Sequence, residues 1–331
     1  MQYEMYLGGL GEKSLARAVL TDGKIQILER MNAVSHAYLA LEGNTLYAVS
    51  EIRNGNVLSY AVAPDGSLQQ TSSVPTQGDI PCHVSVAGRT LLVSNYTSGS
   101  LARFHLNADG TIGKALPLIA PVGHGPKADR QEHAHIHFAQ RTPGGWVAVS
   151  DLGSDAVSFF PFQEIENDVP QPIVIHTPAG YGPRHLAFPK KGECWYALCE
   201  LESELLIYHG SPTHAQLVGR MPVGGLGKEN FPAALRLSPD ETMLVATGRG
   251  EDIAALYAIT DTGMLSQLCT VSTRGSYPVD AEFTPDGKYL VCANQKGNSL
   301  TVFEISLGRL HFKSQTEFES PMCVTFRKGM N

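Results

Sequence analysis

Short apolar runs, separated by turns rich in glycine, asparagine and aspartate, follow one another along the whole chain with no helical period. The clearest pair is Arg184-His185-Leu186-Ala187-Phe188 and, beyond a short turn, Trp195-Tyr196-Ala197-Leu198-Cys199-Glu200. It reads as two antiparallel strands with a guanidinium and an imidazole where the first begins and a carboxylate where the second ends. Antiparallel neighbours place the start of one beside the end of the next. Arg184, His185 and Glu200 are therefore expected on one rim of a sheet.

The unit recurs as an apolar strand, a second apolar strand ending in polar residues, an alternating strand and a tight turn. Tyr38-Leu39-Ala40-Leu41 precedes Leu46-Tyr47-Ala48-Val49-Ser50-Glu51, and His83-Val84-Ser85-Val86 precedes Leu91-Leu92-Val93-Ser94-Asn95-Tyr96. His137-Phe138-Ala139, Ala234-Leu235-Arg236-Leu237 and Asp280-Ala281-Glu282-Phe283 open further copies. Pro64-Asp65-Gly66, Ala108-Asp109-Gly110 and Pro285-Asp286-Gly287 supply hairpin turns. Taking Tyr38, His83, His137, His185, Ala234, Asp280 and Cys323 as equivalent gives a period of roughly 43 to 54 residues with about four strands per unit, the mark of a β-propeller. The last unit has room for one strand after Pro321. Residues 3–7, 15–20 and 24–28 supply three more, so the C-terminal strand becomes the innermost of a blade begun at the N-terminus. The expectation is an all-β, seven-bladed propeller over residues 1–331 as one domain, its ring closed by this shared blade. Residues 121–130 form a long loop that leads into the densest polar cluster, and such loops are more often functional than idle.

Composition narrows the partners. The 331 residues include 33 glycines and 20 prolines, charged residues make up 17%, and the net charge is −7, which argues against nucleic acid or an anionic membrane. The N-terminus lacks a basic, then apolar leader, and no run approaches bilayer length. Six scattered cysteines without a CxxC pair read as reduced thiols of a cytoplasmic protein. A ring that closes on itself is expected to be a monomer.

Inner strands line a propeller's channel, so the equivalent positions gather at one mouth with the second-strand ends Glu51, Tyr96, Leu152, Glu200, Arg249 and Gln295. That convergence of His, Arg, Glu and Gln is the candidate site. An interblade ion-pair network is the competing reading for Arg184, Glu200 and Arg249, and a blade-stapling hydrogen bond for His83. His133-Ala134-His135-Ile136-His137 would put three imidazoles on one strand face if extended. A transition metal there would want a further carboxylate or thiolate that the spacing does not assign, so neither metal nor cofactor is expected. His137 is the first choice for catalysis and His135 the second.

These residues resemble the seven-bladed lactonase family typified by bacterial 6-phosphogluconolactonase and related to fungal carboxy-muconate cyclase. The carrying segments are Arg130-Gln131-Glu132 with His135-Ile136-His137, Ser150-Asp151-Leu152-Gly153-Ser154-Asp155, Gly182-Pro183-Arg184-His185, Cys199-Glu200-Leu201, Gly248-Arg249-Gly250 and Ala293-Asn294-Gln295. The resemblance implies a catalytic set of His137, Arg184, Glu200 and Arg249. Cys199 and Gly248 stand where the family usually has asparagine. Hydrolysis of a sugar-acid lactone, foremost 6-phosphogluconolactone, follows as the expectation, with an anionic small molecule as partner. His137 would take a proton from water, an arginine would stabilise the oxyanion, and Glu200 would orient a guanidinium or return a proton to the ring oxygen. His135, His185, His83, Gln295, Lys296 and Asp280 would bind substrate, with Lys296 among the cations for a phosphate. Cycloisomerisation of a muconate-like dicarboxylate is a second reading, and a non-enzymatic binding platform a third.

Overall fold

The computed structural model describes residues 1–225 and 229–327. Seven four-stranded antiparallel sheets form the blades of a propeller. From the channel outward, one blade reads Pro183–Ala187, Cys194–Cys199, Glu204–His209 and Gln216–Pro222. Closure is as expected: Pro321–Phe326 pairs with Gln2–Gly9, which carries Leu15–Thr21 and Lys24–Met31 outside it.

Position in a blade explains the two kinds of apolar pattern. Second strands such as Cys194–Cys199 and Tyr289–Asn294 are buried along their length because neighbouring blades cover both faces. Outermost strands such as Arg309–Glu317 are largely exposed and carry the polar text. The core is thus a series of interblade layers, for example Phe159, Trp195 and Tyr208 with Leu186 and Leu206. The turns use aspartate as expected: Asp65 Oδ1 accepts from the Ser67 backbone N–H at 3.0 Å, and Gly66 follows at a φ of 82°.

The inner strands hold the feature that shapes the mouth. In each blade the register slips near the strand start, so that a residue is left without a partner. These bulged residues are Ala37, Cys82, His137, Arg184, Ala233, Val279 and Met322. A bulge re-aims its side chain, a device common beside active sites. In the unit that opens with His137 this corrects the sequence register by one. Ile136 pairs with Asp151 and Phe138 with Ser150, so Phe138, not His137, is equivalent to Tyr38, His83 and His185. The polar side chains therefore form two tiers, one of bulged residues at the mouth and one deeper in the channel.

Candidate active site at the channel mouth

A cavity of about 380 Å³ opens at the mouth. Its wall includes the bulged Ala37, Cys82, His137, Arg184, Val279 and Met322, and the second-strand ends Glu51, Tyr96, Glu200, Arg249 and Gln295. Each strand-end residue follows the partner of an inner strand's opening residues, so the antiparallel register puts both sets at one end. Tyr38 and His185 of the deeper tier form part of the floor.

Glu200 is the electrostatic centre. Its Oε1 lies 2.5 Å from Arg130, and its Oε2 lies 2.6 Å from Arg249 and 3.1 Å from Arg184. Burial alone would raise the carboxyl's pKa, but Arg249, Arg184 and Arg130 hold it well below the usual carboxylate range. Glu200 is therefore a fixed anion, able to orient guanidiniums and unable to return a proton. Three guanidiniums share this one carboxylate, leaving an excess of positive charge in the cavity. Backbone carbonyls aim two of them: Arg184 donates to Ala233 O at 2.5 Å, and Arg249 Nε to Phe231 O at 2.9 Å.

The His137 imidazole has no hydrogen bond to any described residue. Its Nδ1 is fully buried, which leaves Nε2 as the nitrogen open to the cavity. Burial and the Arg184 charge push the imidazole well below its ordinary value, so it stands neutral and able to accept a proton. The ring is 5.5 Å from Tyr96 and 5.6 Å from His185, centroid to centroid.

The other site expectations divide by tier. His185 and Gln295 border the cavity. His83 lies below, its ring 4.4 Å from both Tyr38 and Phe138, where it helps fill the channel. Asp280 is also deep, engaged by Arg236 at 2.7 Å and by the Val324 backbone N–H at 3.1 Å. Lys296 is exposed outside the wall, its Nζ 3.8 Å above the Tyr277 ring. His135 lies behind Tyr96, stacked on its ring at 4.6 Å. The extended HxHxH face does not form: the strand begins only at Ile136, leaving His133 exposed and His135 buried.

Two residues of the site are given no catalytic or binding role by the sequence. Arg130 arrives from the long loop that leads into the polar cluster. The loop is tied down by Gln131, which donates to Leu152 O at 2.9 Å and to Asp155 at 2.8 Å. The Glu51 carboxylate makes no hydrogen bond or ion pair with a described residue. Burial raises its pKa to about 7, with Arg184 opposing. The backbone shows strain here as well: Ile80 and Tyr277, both in the wall, have φ of 53° and 63°, a region costly for side chains of this bulk.

Comparison with known proteins agrees with this architecture. Residues 4–326 match the family described as Lactonase, 7-bladed beta-propeller. A 6-phosphogluconolactonase of Bacillus subtilis is 30% identical over 87% of this chain and 86% of its own. A crystal structure of a putative 6-phosphogluconolactonase from Bacteroides uniformis superposes with a TM-score of 0.92 at 28% identity, covering 98% of this chain and 99% of that one. A periplasmic gluconolactonase of Pseudomonas aeruginosa gives 0.91 at 26% identity, over 98% and 99%. All six cysteines are unpaired, and among the described residues no helix is long and apolar enough to cross a membrane.

Proposed function

The chain belongs to the lactonase family of seven-bladed β-propellers, and from that premise we propose that it hydrolyses a phosphorylated sugar-acid lactone, with 6-phosphogluconolactone as its substrate. The observation that carries this reading is the meeting of three guanidiniums, one fixed carboxylate and the open Nε2 of a neutral imidazole in a single cavity. The relatives named as 6-phosphogluconolactonase and gluconolactonase support it.

Hydrolysis of a ring ester adds water to the carbonyl carbon and then breaks the bond to the ring oxygen. His137 Nε2 accepts the proton of the attacking water. Arg184 and Arg249 stabilise the oxyanion of the tetrahedral intermediate, and afterwards the product carboxylate. Glu200 keeps both guanidiniums aimed and stays ionised throughout. The leaving ring oxygen needs a proton, and protonated Glu51 supplies it, since an acid with a pKa of about 7 is matched to neutral conditions. His137 then passes its proton through solvent, restoring Glu51, and the open-chain hydroxy acid departs. Lys296, at the lip, meets the phosphate.

Substrate comparison tests the reading. The purified protein is expected to open 6-phosphogluconolactone with a kcat/KM at least about tenfold above that for unphosphorylated gluconolactone, the value of one charge-assisted contact. Failure to accelerate either lactone, or turnover of a muconate in their place, overturns it.

Glu51 has its own signature. As general acid it works protonated, so kcat, corrected for spontaneous opening, should fall as pH rises through about 7. Glu51→Gln should lower kcat by about 10²-fold and abolish that alkaline limb. An unchanged pH profile in the variant removes Glu51 from the mechanism.

A further inference from the structure

Behind Tyr96, outside the cavity, Glu132, His133 and His135 present three metal-ligating groups to one another, their donor atoms all within 4.8 Å. We propose that they form a binding site for a divalent transition-metal cation of the zinc class. The carboxylate absent from the HxHxH spacing comes from Glu132, which the bend before the inner strand turns back on both rings.

Counting hydrogens carries the argument. His135 Nδ1 lies 3.0 Å from Tyr96 O, and its Nε2 lies 3.2 Å from Glu132 Oε1. His133 Nδ1 lies 2.7 Å from Ala134 O, and its Nε2 lies 3.5 Å from the same Glu132 oxygen. Carbonyl and carboxylate oxygens only accept, so four ring nitrogens each face an acceptor. Two neutral imidazoles carry two N–H groups between them. With those hydrogens on Nδ1, held by the two carbonyls, both Nε2 lone pairs point at an anionic oxygen. That is the arrangement in which one divalent cation is held, between the two lone pairs and the carboxylate.

Geometry and surroundings agree. Zinc bonds to nitrogen and carboxylate oxygen of about 2.0–2.1 Å give a tetrahedron with edges of roughly 3.3 Å, and the two Glu132-to-imidazole separations, 3.2 and 3.5 Å, bracket that length. Metal-bound histidines characteristically donate their second ring N–H to a carbonyl or carboxylate, and each ring here has its Nδ1 within hydrogen-bond distance of a carbonyl oxygen. The backbone of His135 is fixed by Asp151, which accepts its N–H at 2.7 Å. Two nitrogens and one oxygen suit zinc, cobalt, nickel or copper rather than magnesium or calcium. Glu132 and His133 are about half exposed, so a further coordination position faces solvent.

The site's place suggests its effect. Tyr96 stacks on His135, and Arg130, two residues before Glu132, lies 3.4 Å from the Tyr96 hydroxyl while holding Glu200. A cation here would stiffen the loop that delivers Arg130 without entering the reaction.

The test uses the full-length protein, free of any histidine tag and stripped with chelator. Titration with ZnCl₂ at pH 7.5, with MgCl₂ as control, should show one zinc per chain, no magnesium, and a Tm that climbs with zinc concentration. His133→Ala and Glu132→Gln should each weaken zinc at least tenfold, while His133→Ala keeps metal-free lactone turnover at the wild-type rate, which also certifies its fold. Absence of zinc binding below about 100 μM, or binding that both variants retain, overturns the proposal. Since binding and Tm are read without substrate, the result stands apart from the identity of the lactone.

Discussion

Glu200→Gln is expected to cost about 3–5 kcal/mol of folding stability, the usual effect of removing one partner from a buried ionic cluster. The glutamine keeps the shape but leaves Arg130, Arg184 and Arg249 facing one another around a neutral amide. Thermal unfolding should shift downward by on the order of 5 °C, and turnover should fall with it as Arg184 and Arg249 lose their aim. The double variant Glu200→Gln/Arg130→Met, with one fewer unpaired charge, should recover part of the stability. The pH dependence has a definite sign. The folded carboxyl is held below its unfolded value by the three arginines against burial. Its contribution is therefore complete above the unfolded value of about 4.3 and shrinks as pH falls below it. Urea unfolding at pH 7 and at successively lower pH should show wild type and Glu200→Gln converging only below about pH 4. A loss under 1 kcal/mol at pH 7 would mean that the arginines are solvated rather than paired.

The propeller was legible because its physics is repetitive. Aspartate-glycine turns mark the hairpins, and apolar second strands are covered on both faces in every blade. The shared closing blade followed from counting strands at the two termini. Convergence of Glu51, Tyr96, Glu200, Arg249 and Gln295 was legible too, since an antiparallel pair fixes which ends meet. The bulge was not. It adds one residue to the inner strand, so the histidines alone align His137 with His83 and His185 when it belongs with Cys82 and Arg184. A signal existed: four inner strands open on proline, at Pro81, Pro183, Pro278 and Pro321, and a fifth carries Pro232 one residue after its start. Aligning on that proline puts Ile136 in its place and His137 one step on, beside Arg184. Arg130 is not legible for a different reason, because a loop without period gives no direction to its side chains. Glu51 was seen at the rim, but its protonation depends on what buries it, which strand order alone does not reveal.

The same bulge makes His137→Ala the sharper test of chemistry. Its imidazole is turned from the strand's ordinary pleat into the cavity, where the Nε2 meets no hydrogen-bond partner among the described residues. Loss of a general base of this kind lowers turnover by about 10²–10⁴-fold. The fall should appear in kcat with KM nearly unchanged, because the arginines that hold the anionic substrate remain. Exogenous imidazole should restore part of the rate by occupying the vacated space. Cys82 offers the contrasting case from the preceding blade. Its thiol donates to His137 O at 3.4 Å, and burial, together with Glu51, pushes its pKa far up, so it is no thiolate nucleophile. Cys82→Ser should therefore retain kcat within a few-fold. If turnover instead collapsed in Cys82→Ser and survived in His137→Ala, attack would be covalent at sulfur, and the assignment of His137 as the acceptor of the water proton would be wrong.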